Sequence, residues 1–170
     1  MFNSKQTLMK TILIPTDYQA SSLESVRDVC EILKHDEIKL VFVHMFKLSD
    51  SIGEMLMLSK RSREYEKVSD DFYKGCVALR NEYACVKGIK IDFMYGSTMS
   101  MFRSFLEDNK IDMVLDAKCC SYSAIHKTSI DPTILVKKSG LPLINSSLYK
   151  KKQELKIATY VFKGELEPQV

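Results

Sequence analysis

Apolar residues in this chain fall into short dense runs, separated by stretches where they recur at helical spacing. Thr11-Ile12-Leu13-Ile14-Pro15 is the first run, ended by Pro15 and the polar Thr16-Asp17, and it predicts a buried parallel strand. Ser21-Ser22-Leu23-Glu24 then matches a capping box, and Leu23, Val26, Cys30 and Leu33 line one face of a helix running to about His35. Ile38 to Phe46 is too continuously apolar to face water on one side, which predicts a central strand covered by helices. From Gly53 to about Ala84, Leu58, Tyr65, Val68, Phe72, Cys76, Leu79 and Tyr83 keep one stripe opposite a charged face, the pattern of a long second helix. Ile89 to Tyr95 is a third strand ended by Gly96, and Ser97 caps a helix carrying Met101, Phe102, Phe105 and Leu106. Ile111 to Leu115 gives a fourth strand. Asp131-Pro132 opens a short fourth helix that Gly140 closes, and Leu141 to Asn145 is a fifth strand.

Strand and helix thus alternate four times, which requires right-handed crossovers and a parallel sheet. The expected class is α/β, a Rossmann-like open five-stranded parallel sheet with helices on both faces. That domain occupies residues 1–147, and residues 148–170 form an extension outside the alternation. Beyond Lys150-Lys151-Lys152, the segment Ile157 to Phe162 can add an edge strand, exchange with a partner or hang loose; Tyr160-Val161-Phe162 favours a docked strand.

Composition narrows the partners. A chain of 170 residues fits one domain burying about two-thirds of its unfolded surface. Lys and Arg exceed Asp and Glu by only 25 to 22 with no basic stripe, so no nucleic-acid partner is expected. Five cysteines, an odd number without Cys-x-x-Cys spacing, argue against a disulfide framework and a structural zinc, and point to reduced thiols in the cytoplasm. Met1 to Lys10 holds no signal-peptide core, and no run of 18 apolar residues occurs, so neither export nor a membrane span is expected.

In an open α/β sheet, ligands sit beyond the carboxyl ends of strands where the winding reverses, here the loops Thr16 to Ala20 and Asp116 to Ser129. Ile12-Leu13-Ile14-Pro15-Thr16-Asp17 and a Ser-rich helix start are followed by Val41-Phe42-Val43-His44, Gly96, Ile111-Asp112-Met113-Val114 and Pro142. This ordered set resembles the universal stress protein family over residues 10 to 147. The resemblance implies an adenine nucleotide alpha hydrolase-like fold. It also implies that Asp17 would hold a nucleoside and that the backbone of Met45 would meet the adenine. By the same resemblance, ligand contacts fall at Pro15, Thr16, Asp17, His44, Met45, Gly96, Ala117, Lys118, Cys120 and Ser129.

The family's phosphate loop is a Gly-x2-Gly-x9-Gly-Ser/Thr arrangement, whereas the matching stretches here read Ala117-Lys118-Cys119-Cys120 and Thr128-Ser129-Ile130-Asp131. Glycine lets backbone amides approach phosphate oxygens with positive φ, which Cys120 and Ile130 resist. Asp131 adds a carboxylate that competes with phosphate at a helix start. ATP binding in the family's manner is disfavoured and no cofactor is expected.

Each candidate also has a plainer reading. Asp17 is either a nucleoside ligand or a loop cap. Cys119 and Cys120 read as structural thiols, His44 as a hydrogen-bonded core histidine and His126 as exposed, with no metal-ligand spacing among them. The methionines of the second and third helices read as gap-filling core, and the continuous apolar run Met55 to Leu58 has as its other reading a face for an unknown protein partner. A phosphorelay receiver would need an Asp where Tyr95-Gly96 stands, and a PP-loop pyrophosphatase would need Ser-Gly-Gly-x-Asp-Ser in place of Thr16-Asp17-Tyr18-Gln19. No Ser-His-Asp set or nucleophile elbow appears, so no enzyme is expected. The expectation is a non-catalytic stress-response or regulatory binding module. It would be homodimeric through the apolar last strand at Leu141, Leu143 and Ile144. The alternative is a small-ligand or adenine-nucleotide binder that uses Asp17, Lys118, Ser121 and Ser129 in place of glycine amides.

Overall fold

A computed structural model describes residues 8–48 and 65–166, with side chains as far as residue 159. Five strands form one parallel sheet: β1 (Lys10–Pro15), β2 (Ile38–Phe46), β3 (Val86–Tyr95), β4 (Met113–Leu115) and β5 (Leu143–Ile144). Their spatial order is β3-β2-β1-β4-β5. The chain therefore winds outward from β1 through β2 to β3, then crosses back to lay β4 on the other side of β1. Leu13 pairs with Val41 on one side and Val114 on the other. The winding reverses between β1 and β4, which places any ligand crevice at their carboxyl ends.

Alternation along the strands sorts the core into two layers. Ile12, Ile14, Leu40 and Phe42 pack with Val26 and Val29 of α1 (Glu24–Ile32) and with Phe72 and Leu79 of α2 (Asp70–Glu82). Leu13, Val41, Val43 and Met45 face the opposite way, onto Phe102 and Leu106 of α3 (Met99–Asp108) and Leu135 and Val136 of α4 (Thr133–Lys137). Helices on both faces explain why β2 carries apolar residues at nearly every position. The expected Rossmann-like five-stranded sheet is what the chain forms.

Several local expectations are corrected. Ser21 and Glu24 form no capping box: the helix opens through a 3-10 turn at Ala20–Leu23, and the hydroxyl of Ser22 turns inward to Thr16 Oγ1 and the Gln19 carbonyl. Within residues 65–84 the helical stripe is interrupted. Ser69 takes up extended backbone (ψ 147°) and caps α2 by accepting from Phe72 N at 3.1 Å. Leu58 and the apolar face at Met55 to Leu58 lie outside the described residues. Thr98, not Ser97, caps α3, its hydroxyl accepting from Met101 N. A Cβ on Gly96 would collide with the Met101 side chain, and its φ of +135° suits glycine alone.

The expected docked strand near Tyr160 is a correction of another kind. Residues Ser146–Leu166 form a single helix, α5. Asn145 Oδ1 accepts from Leu148 N at 3.0 Å to start it, and Lys150 to Lys156 are almost all strong helix formers, which outweighs the β-preference of Tyr160-Val161-Phe162. Lys150 Nζ holds α5 to α1 through Asp28 at 3.0 Å. Among the described residues no helix is long and apolar enough to cross a membrane.

Candidate functional site

The loop leaving β1 is fixed by its own polar groups. Thr16 N donates to Val43 O at 3.0 Å, and Thr16 Oγ1 accepts from Tyr18 N at 2.9 Å while meeting Ser22 Oγ at 2.8 Å. Tyr18 adopts φ +59°, a left-handed conformation costing a residue with a Cβ roughly 1 to 2 kcal/mol. Its side chain offsets that cost. The ring is wholly buried and meets Phe72 edge-on at 5.4 Å. The hydroxyl donates to the Asp92 carbonyl and accepts from His44 N. Burial pushes the phenol well above its ordinary pKa, so it stays a neutral donor.

Asp17, between Thr16 and Tyr18, is 3% exposed. One carboxylate oxygen accepts from Gln19 N at 3.1 Å, the other from Ser123 N at 3.2 Å and Ser123 Oγ at 2.9 Å. Asp17 is therefore a loop cap that also clasps the loop after β4 across 106 positions of sequence.

His44 sits wholly buried on β2. Its Nδ1 lies 2.8 Å from the Thr16 carbonyl, which can only accept, so Nδ1 carries the proton and Nε2 accepts from Ser129 Oγ at 2.8 Å. Ser129 Oγ in turn accepts from Ile125 N at 3.2 Å and His126 N at 3.1 Å. Its hydrogen points to His44 Nε2 and its two lone pairs to backbone amides, so Ser129 is held on every side by the chain's own groups.

The loop between β4 and α4 folds back over these groups. Asp116 starts it by accepting from Lys118 N at 3.1 Å, making the short turn Ala117–Cys119. Tyr122 then lies flat against the His44 ring, and its hydroxyl accepts from Met45 N at 3.3 Å. Burial, reinforced by Asp131 and Asp17, raises the Tyr122 phenol above its usual value and keeps it neutral. Ile130 N donates to Met45 O at 2.9 Å and Lys47 N to Thr128 O at 2.8 Å, so Phe46 and Ser129 form an antiparallel bridge. Both backbone groups of Met45 are taken by this loop.

Beside Tyr122 the loop leaves a cavity of about 380 Å³ between Ala117, Cys120, Ser129, Ile130 and Asp131. Asp131 Oδ1 accepts from Thr133 N at 2.9 Å and Thr133 Oγ1 at 2.6 Å, which holds the carboxyl below the usual carboxylate range. Burial pushes the Cys120 thiol up to about 12, with Cys119 and Asp116 adding to it, so it is neutral at pH 7. Cys119 and Cys120 are both free thiols.

Of the residues singled out in the sequence, Thr16, Asp17, His44, Met45, Ala117, Cys120 and Ser129 converge at this end of the sheet. Pro15 ends β1 within the core. Lys118 is exposed and does not line the cavity. Gly96 is tied to Phe46 O at 2.8 Å and packs against Met101 rather than on the cavity wall. In the last strand Ile144 is buried, Leu141 half-buried and Leu143 39% exposed, so of these three Leu143 presents the most apolar surface. Sequence reasoning passed over Tyr122 and Ser123. The signal was present in Ser121-Tyr122-Ser123, an aromatic ring inside a polar loop at the reversal point. Among the described residues no group of three or more His, Cys, Asp or Glu could hold a metal ion.

No family model matches the sequence, and no curated protein matches it closely enough to count as a relative. Among solved structures the chain is similar to the universal stress protein UspA from Lactobacillus plantarum, at 13% identity, covering 79% of this chain and 95% of that one with a TM-score of 0.48. It is similar to a protein of the universal stress protein family from Burkholderia pseudomallei at 12% identity, 79% and 93% coverage and a TM-score of 0.47. It is also similar to a universal stress protein solved in complex with cAMP, at 12% identity, 79% and 94% coverage and a TM-score of 0.44.

Proposed function

We infer that this chain is a non-catalytic, regulatory binding module of universal stress protein type that does not take ATP in that family's manner. One observation carries the reading: the groups that would meet a nucleoside are occupied by the chain's own loop. Met45 N bonds to Tyr122, Met45 O to Ile130 N, and both carboxylate oxygens of Asp17 are engaged by Gln19 and Ser123. Seating a base and ribose there would break at least the Asp17–Ser123 and Met45–Tyr122 bonds and unstack Tyr122 from His44. At about 1 kcal/mol for the Met45–Tyr122 bond, about 1.5 to 3 for each of the two bonds to the Asp17 carboxylate and about 0.5 to 1.5 for the ring pair, the displacement gives up several kcal/mol that the nucleoside's own bonds must first replace.

The phosphate side supports the same reading. Cys120 and Ile130 stand where close backbone approach calls for glycine, and the Asp131 carboxylate is ionised at the start of α4. The non-catalytic part is supported by the sequence, in which no Ser-His-Asp set or nucleophile elbow stands at motif spacing. Five free thiols suit a reducing compartment such as the cytoplasm.

A homodimer through the sheet edge belongs to the same proposal. Among the described residues β5 pairs only with β4, and Leu143 offers apolar surface at the resulting edge. Sedimentation at micromolar concentrations is expected to give twice the chain mass, and a monomer would remove that part.

Titrating ATP with magnesium into the full chain by calorimetry tests the main reading. The expected result is no binding tighter than about 100 μM, roughly 5.5 kcal/mol. A tighter constant that is lost in Asp17→Asn would overturn it.

A further inference from the structure

We propose that the cavity between the loop after β4 and the start of α4 is a binding site for a small organic cation, an amine carrying a short apolar or aromatic body. The proposal goes beyond the reading above and stands on the cavity itself. About 380 Å³ is room for a ligand of ten or so heavy atoms.

The walls choose the ligand's chemistry. Ala117, Tyr122, Ile130 and Pro132 supply apolar and aromatic surface, and among the described residues Asp131 is the one charged side chain that lines the cavity. Its Oδ1 takes both bonds from Thr133, while Oδ2 has no protein partner among the described residues. That oxygen remains an acceptor for a donor from outside. Cys120 and Tyr122, the other titratable groups on the walls, are neutral, so the cavity keeps a net negative charge at pH 7. Asp17 acts on Tyr122 and Asp116 on Cys120 in the same sense, each raising the pKa of a group on the wall.

An anion entering here meets like charge and, among the described residues, no cationic side chain on the walls. A neutral molecule gains only apolar contact. A bare divalent cation would find one carboxylate where oxygen-ligand sites need several. An ammonium with a small apolar body satisfies each part: the charge bonds to Asp131 Oδ2, and the body lies among Tyr122, Ile130 and Pro132, where an aromatic wall favours a cation further.

Three near-isosteres separate these terms: 2-phenylethylamine, 2-phenylethanol and 3-phenylpropionate, titrated into the full chain at pH 7 and followed by chemical shifts of the loop amides. The amine is expected to bind saturably, the alcohol about tenfold more weakly and the carboxylate not measurably. Asp131→Asn keeps an oxygen to cap Thr133 while removing the charge, and should bring the amine down to the alcohol's level. Ala124→Phe, which fills the cavity from an exposed wall position, should abolish both. Equal affinity for amine and alcohol, an unchanged constant in Asp131→Asn, or no amine binding up to about 10 mM, the limit of weak specific affinity, would overturn the proposal. Failure of the amine with ATP also silent overturns this inference alone, whereas tight ATP binding overturns the function proposed above.

Discussion

Tyr122 and His44, 78 positions apart in sequence, lie ring on ring with centroids 4.7 Å apart and planes 4° from parallel. The pair joins the loop after β4 to the centre of the sheet. Its imidazole partner is itself pinned at both nitrogens, by the Thr16 carbonyl and the Ser129 hydroxyl. Tyr122 therefore rests on a rigid platform, and its removal should leave a flat, ring-sized space instead of a collapsed one.

Tyr122→Ala is accordingly expected to cost about 2 to 3 kcal/mol of stability, below the range for a wholly enclosed aromatic because this ring is only half-buried. It should also gain a function. Adenosine is expected to leave the parent chain unbound and to bind the variant in the millimolar range or better by calorimetry, the vacated space having the His44 face and a freed Met45 N–H. A variant that denatures earlier yet still ignores adenosine would show that Tyr122 is not what closes the position.

Tyr18 sets strain against burial. Tyr18→Gly would relieve the φ of +59°, worth about 1 kcal/mol, but would delete a wholly buried ring and a hydroxyl that bonds His44 N and the Asp92 carbonyl. Losing a buried aromatic costs about 3 to 5 kcal/mol, so burial wins and the variant should be less stable by about 2 to 4. Denaturant midpoints at unchanged slope measure it. A stabilised Tyr18→Gly would mean that strain dominates this loop.

Much of the fold could be read before its geometry was known, because each apolar run is long enough to reveal its own period. Ile12-Leu13-Ile14 and Leu40 to Phe46 could only be strands buried on both faces, and the order of elements then left few topologies. The site was half legible. Topology marked the loops that hold Asp17 and Ser129, and the family resemblance singled out those two residues and added His44. Tyr122 and Ser123 were missed, since nothing local encodes a contact with residues more than 70 positions away. The cap at Thr98 was missed because Ser97 and Thr98 both carry a hydroxyl and only backbone geometry decides between them. The helix through Tyr160-Val161-Phe162 was missed because a β-prone triplet was weighed without the helix formers that lead into it.

Asp131 gives a pH signature. Its carboxyl lies below the ordinary value because Thr133 bonds to the ionised form, so its contribution is present above the unfolded pKa and is lost as the pH falls through the folded one. The group is exposed, so the effect is that of a screened helix cap, about 0.5 to 1 kcal/mol. Asp131→Ala should therefore lower stability by that amount at pH 7, with the difference shrinking as the pH falls below the ordinary carboxylate range. An equal deficit at pH 7 and in acid would assign the loss to packing.

The thiols invert that dependence. Burial drives Cys120 and Cys30 up to about 12 and Cys76 to about 11. The folded chain thus holds protons that an unfolded one releases near pH 8 to 9, and stability should decline as the pH rises beyond that point. At pH 8 roughly one Cys120 in ten thousand is a thiolate, too few for ready alkylation although the residue lines a cavity. Iodoacetamide mapped by peptide mass is expected to leave Cys30, Cys76 and Cys120 unlabelled in the folded chain at pH 8 and to modify them at rates rising about tenfold per pH unit. Rapid labelling of Cys120 at pH 8 would mean that the loop opens, and with it the clasp of Asp17 on Ser123.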